Sequence, residues 1–254
     1  MNKVVDLKVK SILVSQPKPE GEKSPYFDLA KKYKLTIDFR PFIHVEGVSA
    51  QDFRKERVDL LEHTAVIFTS RNAVDHYFRV AKEMRVTIPD SMKYFCISES
   101  TAYYLQKYVV YRKRKIFHGK QRFAELIDVM KKHKSEKFLL PCSDILKKEI
   151  PQLLDKAKFK YSKASIYKTV ASDLSDLENV YYDILVFFSP AGIESLLKNF
   201  PEFKQNDTRI AAFGPTTTKA VQDAGLRVDI LAPTQNAPSM TMALENYVKD
   251  VNKK

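Results

Sequence analysis

The stretch Ile210-Ala-Ala-Phe-Gly-Pro-Thr-Thr-Thr-Lys-Ala-Val-Gln-Asp-Ala-Gly225 decides the fold. A short apolar run ends at Gly214, Pro215 suits the first position of a helix, and the three threonines that follow are expected to give hydroxyls to the free amides there. The pattern predicts a strand, a turn and a helix. In doubly wound proteins such a helix start lies at the carboxyl edge of a parallel sheet, where its N–H groups and dipole bind anions. We therefore expect an anionic ligand at this turn.

The chain carries this kind of pattern twice. The segment AVIFTSRNAVDHYFRVAKEM, starting at Ala65, predicts a buried strand followed by an amphipathic helix, and ILVFFSPAGIESLLKNF, starting at Ile184, repeats it 119 positions later. A second strand and helix follow in each copy, and there Thr101 falls opposite Thr217. A third strand and helix complete both copies. Two similar modules are therefore predicted.

The modules are predicted to be α/β domains with doubly wound parallel sheets, because their strands are continuous apolar runs alternating with helices. The C-terminal copy has three strands of its own, and the strand at residues 11–15 can complete its sheet. This gives a discontinuous α/β domain, 1–36 plus 172–254, and an inserted α/β domain, 46–162. Segments 37–45 and 163–171 would join them as an antiparallel ribbon, because Pro41 makes the first an edge strand. The cleft between the domains is the expected site.

Composition limits the functional classes. No run of about 18 apolar residues is present and the start lacks an apolar signal segment, so we expect a cytoplasmic protein with no membrane partner. Cys96 and Cys142 are predicted to be buried thiols, without a disulfide or a metal site. The net charge of +12 attracts polyanions. The basic run 112–115 is interpreted as a solvated loop rather than a phosphate track, because aromatic interleaving and nucleic-acid recognition patterns are missing.

Five segments together resemble uroporphyrinogen-III synthases, in the order expected of that family. They are IFTSRNAV (67–74), ASIYKTVAS (164–172), FFSPAGIESLL (187–197), AAFGPTTTKAVQDAGL (211–226) and APSMTMALENYV (237–248). The resemblance implies two flavodoxin-like domains joined by a two-stranded antiparallel ribbon. It also implies a monomeric lyase of tetrapyrrole, porphyrin and heme biosynthesis that uses no metal or organic cofactor.

The substrate implied by the resemblance is hydroxymethylbilane, a linear tetrapyrrole with eight carboxylates. Such enzymes expel its terminal hydroxyl as water and close the ring while inverting the last pyrrole. Tyr167 matches the family tyrosine nearest the departing hydroxyl, and a neutral phenol can donate a proton there. The helix starts are expected to bind carboxylates through hydroxyls and amides. The predicted substrate-binding residues are Thr69, Ser70, Ser98, Thr101, Ser189, Gly214, Thr216 and Thr217.

Other interpretations stay open at this point. Serines and threonines at helix starts can serve only as caps, and Tyr167 can be an aromatic of an amphipathic ribbon. Because the chain departs from the family pattern at Gln16 and Ser98, it could instead be a non-catalytic two-domain protein that binds a tetrapyrrole or another acidic ligand. Nucleic-acid binding through the basic loops ranks last. The five histidines lack ligand spacing and are expected to have surface or packing roles.

Overall fold

A computed structural model describes residues 7–21 and 23–253. The start of the chain, to which the prediction about a signal segment refers, lies outside the described residues. Those residues form two compact units. The discontinuous unit is made of residues up to His44 together with residues from Val170 onward, and the inserted unit is Val45–Thr169.

The elements alternate along the chain as predicted. The strands are β1 (Ser11–Val14), β2 (Thr36–Phe39), β3 (Ile43–Gly47), β4 (Ala65–Phe68), β5 (Lys93–Cys96), β6 (Ile116–His118), β7 (Phe138–Ser143), β8 (Tyr161–Ala171), β9 (Ile184–Phe187), β10 (Arg209–Phe213) and β11 (Ile230–Ala232). The α-helices are α1 (Pro25–Tyr33), α2 (Ala50–Lys55), α3 (Arg71–Glu83), α4 (Glu99–Leu105), α5 (Phe123–Met130), α6 (Glu149–Lys156), α7 (Pro190–Asn199), α8 (Pro215–Asp223) and α9 (Met240–Asn252).

The discontinuous unit has a five-stranded parallel sheet in the order β11-β10-β9-β1-β2. This is the flavodoxin-like order, in which the first strand in sequence lies between the second and the third. Side chains that alternate along the strands enter two separate cores. One core contains residues of α1 and α9, and the other contains residues of α7 and α8. The sheet is therefore covered on both faces.

The inserted unit has a six-stranded sheet in the order β3-β8-β7-β4-β5-β6. Strands β8 to β6 are parallel, and helices α3 and α4 pack on one face while α5 and α6 pack on the other. Strand β3 is antiparallel to β8, since the amide of Val48 bonds the carbonyl of Ile166 and the amide of Ser172 bonds that of Phe42. The predicted fold class, two doubly wound parallel sheets with an antiparallel pair, is confirmed.

The internal repeat is visible in both units. Strands β4, β5 and β6 occupy the same relative sheet positions as β9, β10 and β11, and they carry helices at equivalent places. Ser70 and Ser189 are both N-cap residues of the helix after the first repeated strand. Thr101 and Thr217 are both the third residue of the next helix, as the alignment predicted.

The segment 37–45 was expected to be a single ribbon strand, and the structure differs. It forms two strands, because Pro41 has no N–H to continue a ladder after the amide of Arg40 bonds the carbonyl of Val14. The first part, β2, is an additional parallel strand at the edge of the discontinuous unit's sheet. Strand β8 also does more than form a ribbon, because its first half pairs in parallel with β7. The sheets are consequently wider than the sequence suggested.

Candidate functional site

Tyr167 lies on β8 of the inserted unit, immediately after an irregularity in the pairing with β7. Cys142 is opposite Ser165, whereas the next residue, Ser143, is opposite Tyr167. One extra residue on β8 is thus accommodated, and such a bulge turns the side chains that follow it. The Tyr167 side chain is buried, with 9% of the residue exposed, and its hydroxyl lies 3.4 Å from the Ser70 hydroxyl at the start of α3.

The environment keeps the Tyr167 phenol protonated. Burial raises the pKa of Tyr167 above its ordinary value because the phenolate would lose hydration. The hydrogen bond with Ser70 opposes this shift, and the nearby Cys142 and Asp144 groups add to it. A neutral phenol can donate a hydrogen bond or a proton to a group that develops negative charge.

His76 is a neighbour of Tyr167 that the sequence did not single out. Its ring, on α3, stacks on the phenol with centroids 5.3 Å apart and an interplanar angle of 23°. Arg79, one turn later, donates from Nε to His76 Nδ1 at 3.1 Å. The only indication of its position in the sequence is helical spacing: His76 follows the buried Ala73 by three positions and precedes the buried Val80 by four. That spacing predicts packing against the sheet but does not identify the aromatic partner.

The two repeated helix starts of the inserted unit are capped by serine hydroxyls. Ser70 accepts from the amide of Ala73 at 3.1 Å, and Ser98 accepts from the amide of Thr101 at 3.3 Å. The Ser98 hydroxyl also lies 3.1 Å from the Thr101 hydroxyl. Thr69 is half-buried between the end of β4 and the cap. The expected capping is therefore present here, and in these helices it occupies the third helical amide.

The threonines after Gly214 do not act as caps, and this part of the prediction was wrong. Gly214 is itself the N-cap of α8, with φ 84°, a conformation that favours glycine, and it offers no side chain. The Thr218 hydroxyl instead donates backward to the Gly214 carbonyl at 3.0 Å, a common bond of threonines inside helices. Thr217 is 1% exposed, and its Oγ1 finds no hydrogen-bond partner among residues 7–21 and 23–253. Thr216 is exposed.

Ser189 occupies the expected cap position of α7, but its side chain makes no capping bond within the described part of the chain. Pro190, the first helical residue, has no N–H, and the amide of Gly192 bonds the Ser189 backbone carbonyl at 3.1 Å instead. The amide that a serine hydroxyl would normally cap is thus already used by the backbone. The Gly214 amide is also engaged, with the carbonyl of Ala232.

The predicted site residues fall into two groups, one in each unit. In the inserted unit, Tyr167 and Ser70 are in contact, and Ser70 and Ser98 follow the adjacent strands β4 and β5. In the discontinuous unit, Ser189 and Gly214 follow the adjacent strands β9 and β10. Each group lies at the carboxyl edge of its own parallel sheet, where open α/β sheets bind ligands.

The described residues contain no candidate metal site. No group of three or more His, Cys, Asp or Glu side chains is arranged there to hold a metal ion. Both cysteines are buried, and burial raises the pKa of Cys96 to about 12. None of the helices formed by residues 7–21 and 23–253 is both long and apolar enough to cross a membrane.

These features define the class: a protein of two doubly wound α/β units, each with polar helix starts at the carboxyl edge of a parallel sheet. Comparison with known proteins then identifies the family. The sequence pattern described as "Uroporphyrinogen-III synthase HemD" matches residues 25–242, and the chain belongs to the uroporphyrinogen-III synthase family.

Individual proteins that resemble this chain over most of its length are themselves described as uroporphyrinogen-III synthases. A uroporphyrinogen-III synthase of Chlorobaculum parvum (strain DSM 263 / NCIMB 8327) is 23% identical over 260 residues, which cover 95% of this chain and 100% of the relative. The crystal structure of uroporphyrinogen-III synthetase from Helicobacter pylori 26695 has the same fold, with a TM-score of 0.57, 18% identity and coverage of 94% of this chain and 99% of that one. A mutant uroporphyrinogen III synthase from the extremely thermophilic bacterium Thermus thermophilus gives a TM-score of 0.51 at 13% identity, covering 96% of this chain and 100% of that one.

The family and the enzyme class expected from sequence, a uroporphyrinogen-III synthase and hydro-lyase of tetrapyrrole biosynthesis, are confirmed. The family implies hydroxymethylbilane as the substrate. This favours the enzyme over the non-catalytic binding protein and the nucleic-acid-binding protein considered above. The individual site residues stay predictions and are taken up as proposals below.

Proposed function

We propose that this chain converts hydroxymethylbilane to uroporphyrinogen III with Tyr167 as the proton donor to the departing hydroxyl. The observation that carries the proposal is a buried, protonated phenol beside Ser70, at the sheet edge where the helix starts of the inserted unit lie. Bonds and protons balance without a cofactor. The carbon–oxygen bond breaks, the hydroxyl leaves as water with the phenol proton, and the proton released on ring closure returns to the phenolate.

The protein's main contribution is orientation. Unassisted ring closure of such a bilane is possible without inversion, so the enzyme must hold the chain in the geometry that leads to the inverted product. The substrate's own pyrroles stabilise the cation that remains after the hydroxyl departs. Tyr167 then needs only to meet the hydroxyl at hydrogen-bond distance, and its burial keeps the proton in place until that contact forms.

The substrate carboxylates are proposed to bind at the helix starts. The groups assigned to this are the hydroxyls and nearby amides of Thr69, Ser70, Ser98, Thr101, Ser189, Gly214, Thr216 and Thr217. The best-supported of them is Thr217, because its buried hydroxyl has no partner among the described residues; it is covered in this structure, so contact with a carboxylate requires the start of α8 to move when the substrate binds. At Gly214 the available amides are those of Thr216 and Thr217, which follow Pro215 at the positive end of α8. The net charge of +12 attracts the polyanionic substrate.

We also propose that the enzyme is cytoplasmic and acts as a monomer. The proposal also includes the domain limits inferred from the repeat: 1–36 plus 172–254 for one α/β domain, 46–162 for the other, and connecting segments 37–45 and 163–171, in which the residues of β2 and of the first half of β8 also belong to the two sheets. The compact units support this division, since the chain passes from one unit to the other within β3 and within β8. Sedimentation velocity at several protein concentrations should show one monomeric species, and a dimer would contradict this part of the proposal.

The role of Tyr167 is tested by Tyr167→Phe, with Tyr161→Phe as the matched control on the same strand. Tyr161 is the first residue of β8 and interacts with Asp155. We expect Tyr167→Phe to lower kcat by about 100-fold with KM within about twofold, because general acids contribute factors of this order. Tyr161→Phe should behave as wild type. Equal kcat values for wild type and Tyr167→Phe would remove the phenol from the mechanism.

A further inference from the structure

The Tyr167 phenol is held by more than its hydroxyl contact. The distance of 3.4 Å to the Ser70 hydroxyl is at the long end for a hydrogen bond between two oxygens, so this bond alone restricts the phenol weakly. The His76 ring covers one face of the phenol at 5.3 Å between centroids and 23° between planes. This geometry is that of a stacked aromatic pair, which resists rotation of either ring.

Arg79 determines how the His76 ring is held. A guanidinium only donates hydrogen bonds, so the contact from Arg79 Nε at 3.1 Å makes His76 Nδ1 the acceptor and leaves the ring hydrogen on Nε2. Burial, and then the Arg79 charge, lower the pKa of His76. The imidazole is consequently neutral at neutral pH and has one defined tautomer.

Arg79 is itself fixed to the backbone. Its Nη2 donates to the carbonyls of Val48 at 2.8 Å and Ile166 at 3.1 Å, and its Nη1 pairs with Glu83 at 2.7 Å. Ile166 directly precedes Tyr167 on β8, so the guanidinium joins the strand that carries the phenol to the helix that carries the imidazole. Gly47 makes room for this arrangement, because a Cβ at that position would lie 2.6 Å from Arg79 Cζ.

We propose that His76 is a positioning residue for the reaction, and that, held flat by Arg79, it fixes the plane of the Tyr167 phenol and the direction of its hydroxyl. The inference rests on the proposed role of Tyr167 and deepens it. His76 transfers no proton in this scheme. Its effect is to keep the phenol in the orientation from which it meets the departing hydroxyl, so its loss should reduce kcat rather than substrate affinity.

Kinetics of His76→Ala, His76→Phe and Tyr167→Phe test the proposal. A stacked aromatic pair corresponds to a factor of about two to ten, so we expect His76→Ala to lower kcat by about five- to tenfold, with KM within about twofold. Phenylalanine restores the stacked ring but not the acceptor for Arg79 Nε, so the kcat of His76→Phe should lie between those of wild type and His76→Ala. Gly47→Ala should lower kcat in the same direction as His76→Ala, because it displaces the Arg79 guanidinium without changing either ring.

A second measurement does not depend on activity. The ring proton signals of Tyr167, assigned in tyrosine-labelled protein by their loss in Tyr167→Phe, should move downfield in His76→Ala as the ring current is removed. They should stay near their wild-type position in His76→Phe. Unchanged signals in His76→Ala would show that the rings are not stacked in solution and would overturn the inference.

The outcomes separate this inference from the proposed function. If wild type and His76→Ala have the same kcat while Tyr167→Phe is slow, the positioning role is wrong and the phenol's role stands. If Tyr167→Phe is as fast as wild type, the phenol's role falls, and the positioning role falls with it. If wild type forms no isomer III, the proposed function fails, and the ring proton signals alone decide whether His76 holds the phenol.

Discussion

Replacement of Thr217 by valine should stabilise the protein while impairing the enzyme. Thr217 is 1% exposed, and its hydroxyl has no hydrogen-bond partner in the part of the chain that the structure describes. Burial of an unpaired hydroxyl costs about 1–3 kcal/mol in proteins, whereas valine has nearly the same shape and a similar helix propensity. We expect the free energy of unfolding to rise by about 1 kcal/mol, and the melting temperature of the discontinuous unit by about 4 °C.

The effect on catalysis should have the opposite sign. A hydrogen bond to a charged group contributes about 1.5–3 kcal/mol, so loss of a bond from Thr217 to a substrate carboxylate should lower kcat/KM by about 10- to 150-fold. Stability is measured by urea unfolding followed by circular dichroism, and activity by the rate of uroporphyrinogen III formation from freshly made hydroxymethylbilane. A hydroxyl that serves only the fold could not give this combination of results.

Thr101→Val is the matched control for stability, because Thr101 occupies the same helical position in the inserted unit but its hydroxyl lies 3.1 Å from the Ser98 hydroxyl. Loss of this bond should lower the free energy of unfolding by about 1 kcal/mol. A Thr217→Val protein that is clearly less stable than wild type would show that the buried hydroxyl is not unpaired. Unchanged kcat/KM in that variant would refute contact with the substrate.

Three further predictions concern the inserted unit. Tyr77→Phe should leave the free energy of unfolding unchanged or raise it by up to about 1 kcal/mol, because the buried Tyr77 hydroxyl has no partner among the described residues while its ring packs on Phe68. Urea unfolding measures this free energy, and a clear loss of stability would contradict the prediction. Partial burial raises the pKa of Asp75, but hydrogen bonds from Tyr108 and Tyr104 outweigh it and lower the pKa on balance. Asp75→Asn should therefore lower the free energy of unfolding by about 1 kcal/mol at pH 7, after allowance for solvent exposure. When unfolding is measured from pH 7 to pH 3, the difference in unfolding free energy between wild type and Asp75→Asn should shrink as the pH falls below about 4, and a constant difference would contradict this prediction. Because burial raises the pKa of Cys96 to about 12, iodoacetamide at pH 8 should label this thiol in urea-unfolded protein but only slowly in folded protein, as mass spectrometry can determine.

The fold could be predicted from sequence because its signals are local. Apolar strand runs followed by a serine or glycine turn mark the repeated strand and helix pairs, and Ser70 and Ser98 cap their helices as expected. The extra strand β2 was missed because its four residues alternate between exposed and partly buried positions, as those of a ribbon strand would. Its pairing with β1 cannot be predicted from the segment alone. Sequence fixes the period of a strand, but neighbours in the sheet depend on the packing of the whole unit.

The candidate site was predicted less completely. The family resemblance predicted Tyr167 as a site residue. Its orientation, however, depends on a bulge between β7 and β8 that no local sequence pattern predicts. The contact with His76 joins a helix and a strand that are far apart in sequence, so helical spacing could predict that His76 packs against the sheet but could not identify Tyr167 as its partner. The unpaired Thr217 hydroxyl likewise depends on the backbone of Gly214, which replaces the expected side-chain cap.

The product isomer formed from hydroxymethylbilane tests the central claim most directly. The wild-type protein should be incubated with the freshly generated bilane, and the porphyrins obtained after oxidation should be separated into isomers I and III. Wild type should give isomer III in proportion to enzyme concentration, above the isomer I formed in buffer alone. Isomer I alone, at the buffer rate, would contradict the account.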